Sequence, residues 1–270
     1  MCNVANRLAA AFLIAVSVSS CGDSDREAAL QLSETAENEL KSGNYQAAIT
    51  ALDTLDTKYA SEVEVRRSSM KFRAMAVEGL TIKRIREVDD TLAVLKNQLD
   101  RYGESFEYIA NPGKGLGGNY IDRSIVKLKS DILPRINDDG YFTLSIRING
   151  RSIGFSRLTF VDGAMSASTV PVEPSRLVKV ENSEMTVLQQ EDVADAVTWL
   201  ASHMTAAEYE LVGSKSVIRN KLSETLVKAI VNTWNFASAK QAYRLALIER
   251  EKLERKLQLC RDQLANVIDR

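Results

Sequence analysis

Apolar positions along this chain keep two different periods, and each period predicts its own kind of element. Ile85, Val88, Leu92, Leu95, Leu99, Tyr102 and Phe106 step by three and four residues in alternation, the seam of a coiled-coil helix. Tyr243, Ala246, Arg250, Leu253, Leu257, Cys260, Leu264 and Val267 make a second seam near the far end, broken only by Arg250. Between Val63 and Gly103 there is no proline and only Gly79 as an interior helix weakener, so one helix is predicted over 63–107. Ser223 is a candidate N-cap for a second helix over 223–270. Each would run about 45 residues, or roughly 65 Å at the helical rise. Seams of matched length suggest an antiparallel coiled coil within one chain; pairing of either seam with another copy is the alternative.

Ahead of the first seam, a helix from Ser24 or Asp25 carries Leu30, Leu32, Ala36 and Leu40, Gly43-Asn44 interrupts it, and Ala47, Ala48, Leu52 and Leu55 continue on a second. Over 27–62 this is a helical hairpin. Between the seams, residues 108–137 read as a glycine-rich connector, Asn111-Pro112-Gly113 to Gly118, and a short helix through Ile121, Ile125, Leu128 and Ile132 that Pro134 ends. From 138 to 222 the period falls to two. Phe142, Leu144, Ile146 and Ile148 alternate with Thr143, Ser145 and Arg147, a half-buried strand. Asn149-Gly150 predicts a tight hairpin turn, with Ile153, Phe155 and Leu158 returning beside the first strand. Further strands are expected near 165–170, 176–181 and 184–189, a helix over about 191–203, and a last hairpin around Val212-Gly213-Ser214. The fold class is therefore α+β and mostly α: an N-terminal helical hairpin, long antiparallel coiled-coil helices, and an inserted small β-rich domain.

Residues 1–20 have another character. Arg7 precedes a short apolar run from Leu8 to Val18, too short for the roughly 20 residues that span a bilayer, so they read as a signal peptide. The run ends in Val18-Ser19-Ser20-Cys21, which resembles the lipobox of bacterial lipoproteins, with Val18 where leucine is more usual. The resemblance implies cleavage before Cys21, lipid on its sulfur and new amine, and a short tether over 21–26. It places the protein in the envelope of a Gram-negative bacterium, at the outer membrane, facing the periplasm or the surface. Asp23 and Asp25 behind the cysteine resemble the export signals of Bacteroides-type lipoproteins. Leu40-Lys-Ser-Gly-Asn-Tyr-Gln-Ala-Ala-Ile49 resembles the turn and second helix of a tetratricopeptide repeat. In that likeness Gly43 permits the left-handed turn, Tyr45 packs across it, and Ala48 allows close helix approach. No second copy follows one repeat length on, so a single repeat-like hairpin is expected.

Composition narrows the chemistry. With 35 basic and 36 acidic residues, no global field points to nucleic acid. Of three cysteines, Cys2 would leave with the signal and Cys21 would carry lipid, so Cys260 has no partner for an internal disulfide. A single histidine, His203, and no cysteine cluster argue against a zinc site; no metal or cofactor is expected. Gly150-Arg-Ser152-Ile-Gly154 matches the Gly-x-Ser-x-Gly pattern of serine hydrolases. That chemistry needs a strand-to-helix turn, and here the serine follows a hairpin signal, so a turn serine is expected and not an enzyme. Gly113-Lys-Gly-Leu-Gly-Gly118 contains a dinucleotide-type glycine string without the strand and helix that give it meaning. Asp138-Asp139 is a turn without a calcium-loop pattern.

These readings converge on a membrane-anchored scaffold or protein-interaction module, held by lipidated Cys21 and contacting an envelope protein partner through Tyr45, Arg66, Arg67 and Lys71. The basic run that includes the last three also fits a solvated helix face neutralised by Asp53 and Asp56. The rival is a glycan- or small-ligand-binding protein working through the β-rich domain, which predicts exposed Tyr141, Phe155, Phe160 and Tyr209.

Overall fold

A computed structural model describes residues 21–112, 117–181 and 183–268. The signal peptide, residues 18–20 of the lipobox and the core of the glycine loop, 113–116, lie outside the described residues. The fold mixes helices with two antiparallel sheets, and the chain divides into two compact units. One takes the residues up to Glu87 and from Glu251 onward; the other is Val88–Arg250.

The first unit holds α1 (Cys21–Lys41), α2 (Tyr45–Lys58), and parts of α3 (Val63–Ser105) and α5 (Glu224–Ile268). Because α1 begins at Cys21, the segment 21–26 is helical and not a tether; Asp23 in the first turn favours this through the helix dipole. Gly43 takes φ +75° between α1 and α2, a conformation that costs little without a Cβ. Ala29, Ala36, Ala48 and Ala76 have no exposed surface, so α1, α2 and α3 approach closely around Leu52 and Leu55. Ser33 and Ser69 hydroxyls meet at 2.7 Å between α1 and α3. Arg261 Nε on α5 donates to Glu78 on α3 at 2.9 Å.

The second unit carries every strand of the described residues. A six-stranded sheet has the order β1-β2-β3-β4-β8-β7, with β1 Phe106–Ala110, β2 Gly118–Asp122, β3 Ile132–Asn137, β4 Phe142–Ile148, β7 Val178–Val180 and β8 Ser183–Gln189. A four-stranded sheet has the order β10-β9-β5-β6, with β5 Phe155–Asp162, β6 Met165–Ser168, β9 Glu208–Gly213 and β10 Val217–Lys221. The inner faces of both sheets, α4 (Gln190–Ser202) and the first half of α5 share one core. On β4 the alternation holds, with Phe142, Leu144, Ile146 and Ile148 all buried. Phe142 meets Trp234 of α5 edge-on at 5.3 Å between centroids. Ser223 Oγ accepts from Leu226 N at 3.2 Å, capping α5 where the sequence placed a cap. Within this unit α3 and α5 run antiparallel: Arg250 Nε donates to Asp89 at 2.6 Å, and Tyr102 stacks on Phe236 at 5.3 Å.

Two local expectations are corrected. The short helix over 121–132 is absent; β2 reaches Asp122, a turn follows, and β3 begins at Ile132. Pro134 sits inside β3 instead of ending a helix. Arg147 N donates to Asp131 O, so alternate β3 residues bond β4 and the Pro134 nitrogen faces the β2 side. There β2 pairs only with Ile136 and Asn137, so the missing N–H breaks no ladder bond. The Asn149-Gly150 hairpin is also absent. Gly150 does turn, with φ +76°, but β4 pairs with β3 and β8 while β5 pairs with β6 and β9. The chain crosses from one sheet to the other at this point.

Candidate functional site

What holds that crossing is a buried carboxylate. Glu184 on β8 is 1% exposed and accepts from Ser152 Oγ, from Gly154 N at 2.9 Å, from Ile153 N at 3.1 Å and from Phe155 N at 3.2 Å. Burial by itself would raise its pKa; the serine hydroxyl and three backbone donors outweigh burial and hold it below the usual carboxylate range. The Gly-x-Ser-x-Gly segment thus wraps an anion supplied by the protein itself. Its serine is a donor to Glu184, and His203 is engaged elsewhere. The imidazole stacks on Trp199 at 4.1 Å, with Nδ1 2.9 Å from the Trp199 carbonyl, at the C-terminus of α4. Nucleophile and base are not brought together.

In the unit containing α1 and α2, Tyr45 follows the Gly43 turn as the first residue of α2. It lies on Gly79 of α3, where an added Cβ would collide with its ring. That seat forms part of a hollow of about 480 Å³ lined by Leu40, Tyr45, Phe72, Met75, Gly79 and Ile82, with Glu37, Lys41 and Glu78 completing it. Met75 is 47% exposed, an apolar side chain open to solvent beside it. Lys41 hydrogen-bonds Glu37 at 2.8 Å and, with Lys71 adding a weaker attraction, lowers the Glu37 pKa.

The other three contact candidates diverge. Arg66 is committed to the fold, donating from Nε to Asp56 at 2.8 Å and from Nη1 to the Ala60 carbonyl at 3.0 Å. Arg73 bridges Asp53 at 2.6 Å and Asp56 at 2.9 Å, so the acids of α2 do neutralise part of the basic run. Arg67 is exposed, and Lys71 places its ammonium 4.9 Å from the Phe72 ring centroid. Tyr45 and Lys71 therefore lie at or next to the hollow, and Arg66 stands apart from it.

In the β-bearing unit, Phe155, Phe160 and Tyr209 are core residues and only Tyr141, 52% exposed, is presented to solvent. The three core aromatics fall on the inward face of β5 and β9 and are not available to stack on a ligand there. Tyr209 instead joins a polar cluster that the sequence did not flag, with Asn220 donating to Asp131 at 2.9 Å and to the Tyr209 hydroxyl at 3.2 Å. Burial pushes the Tyr209 pKa up to about 12, with Asn220 pulling the other way. Asp138, in the β3–β4 turn, accepts from Gly118 N at the start of β2 at 2.9 Å. Lys240 stands 4.0 Å over the Tyr120 ring; burial lowers its pKa, opposed by Asp138 and Asp139. Among the described residues no group of three or more His, Cys, Asp or Glu is placed to hold a metal ion, and no helix is long and apolar enough to cross a membrane. No protein-family model matches the chain, and no curated protein or solved structure does either.

Proposed function

We propose that this protein is a lipid-anchored envelope scaffold that holds a protein partner at the hollow beside Tyr45. Lipid on Cys21 fixes the chain at the outer membrane of a Gram-negative cell; the role is associative and not enzymatic. In this reading α1 and α2 are a tetratricopeptide-like hairpin, α3 and α5 an antiparallel coiled coil closed within one chain, and the strands an inserted β-rich domain. Support for the hairpin comes from the positive φ of Gly43 and the fully buried Ala36 and Ala48. Support for the coiled coil comes from seam residues Val88 and Cys260, both buried, and from Arg250, whose break in the seam is met by Asp89.

The observation that carries the proposal is the open, mainly apolar lining around Tyr45, Phe72 and Met75, flanked by the Glu37–Lys41 pair and by Lys71. Such a surface suits an apolar side chain from a peptide or helix with an acidic flank for Lys71. A photo-crosslinking residue at Met75 in intact cells should trap one defined envelope protein, and Tyr45→Ala should abolish the adduct. Adducts only to lipid, or an adduct unchanged by Tyr45→Ala, would sink the reading. Cys21→Ser should release the protein from membranes and remove the lipid mass increment.

A further inference from the structure

A second concavity lies wholly within the Val88–Arg250 unit, where α3 and α5 face each other. It is an open groove of about 690 Å³, a volume within the range of small-ligand sites, and its polar side chains are exposed. Its walls differ from the rest of these helices. Elsewhere α3 and α5 present lysines, arginines and carboxylates in mixed runs, the mark of a solvated face. Here, among the described residues of the lining, Arg101 is the only charged one and none is acidic. Gln98, Ser105, Asn232, Asn235 and Ser238 supply the polar groups from both walls.

Most of those groups are uncommitted. Among the described residues the side chains of Gln98, Arg101, Ser105 and Asn235 have no hydrogen-bond partner, and Asn232 holds a long 3.5 Å contact to Asp122. Tyr102 adds a ring whose position is set by stacking on Phe236, with an interplanar angle of 22°. Ala239 and Ala242 bring no bulk to the α5 wall.

We propose that this groove binds an acidic saccharide. Carboxamides both donate and accept, which matches hydroxyl and acetamido groups. A guanidinium offers a paired-donor fork that suits a carboxylate. A flat aromatic side chain suits the apolar face of a sugar ring. An apolar ligand would leave the amides buried without partners, which costs more than the contact returns. A cation would meet Arg101 with no acid in the lining to offset it. The site is independent of the scaffold reading, which rests on the other unit, so either can fail alone.

The test is calorimetric titration of the full chain in detergent with a hyaluronan tetrasaccharide, which carries carboxylates and acetamido groups, and with chitotetraose, which carries acetamido groups alone. The hyaluronan fragment should bind saturably and more tightly. Arg101→Gln should weaken it about tenfold, the scale of a lost charge-assisted contact, and leave chitotetraose unchanged. Asn235→Ala should weaken both. The substituted side chains are exposed, so melting should not move, and circular dichroism verifies folding in each variant. Absence of saturable binding by the hyaluronan fragment, equal affinity for the two probes, or an affinity that Arg101→Gln leaves unchanged would overturn the proposal.

Discussion

Glu184 shows how one side chain can decide a local topology. Four donors converge on a carboxylate that is almost wholly buried, so removing its charge leaves them underserved. Glu184→Gln should cost about 2 kcal/mol at neutral pH, the scale of hydrogen bonds to a charged group. The pH dependence follows from the sign of the shift. The folded pKa lies below the unfolded value of about 4.3, so this stability is fully present above that value. It is lost as pH falls through the depressed folded pKa. Urea melts of wild type and Glu184→Gln should therefore differ at pH 7 and converge at the acid end; a constant difference would contradict the latch. With its hydroxyl bonded to Glu184 and no imidazole beside it, Ser152 should also fail to react with a fluorophosphonate probe.

Among the elements, α3 is the one whose sequence features have separable consequences. Gly79 weakens the helix by about 1 kcal/mol relative to alanine, yet it gives Tyr45 its seat. Gly79→Ala should leave melting within about 1 kcal/mol, because propensity gained offsets packing lost. The Tyr45 ring should move outward, read as faster acetylation of its hydroxyl; an unchanged rate would mean the seat is not what orders the ring. Leu92 tests the seam farther along α3. It is half-buried, and Leu92→Asp should destabilise by about 1–3 kcal/mol through a charge on an apolar seam. Unchanged helicity and melting would remove the case for a coiled coil. The strands tell a parallel story: β4 was readable from its alternation, whereas β3 was hidden by Pro134 and by apolar residues at helical spacing. What allowed β3 to form was the early end of its pairing with β2.

For the whole molecule, the division into two units has an energetic consequence. Phe142 has no exposed surface and belongs to the core of the β-bearing unit alone. Phe142→Ala should cost about 3–5 kcal/mol, and hydrogen exchange should accelerate in β3, β4 and β8 well before α1 and α2 respond. Uniform acceleration across α1, α2 and the strands would instead show a single cooperative unit. Local sequence signals determined the helices α3 and α5, the Ser223 cap, the Gly43 turn and strand β4, because each depends on residues close in sequence. The destination of the chain after Gly150 was beyond that reach. An Asn-Gly turn states that the chain bends, and a glutamate 34 residues away, between Gly150 and Glu184, decides where it goes. The grooves beside Tyr45 and Arg101 were equally illegible, since their walls come from segments far apart in sequence. Local pattern sets elements because backbone hydrogen bonding and side-chain period are short-ranged. Strand partners, buried charges and concave surfaces are set by contacts between distant segments, and only the tertiary structure chooses those.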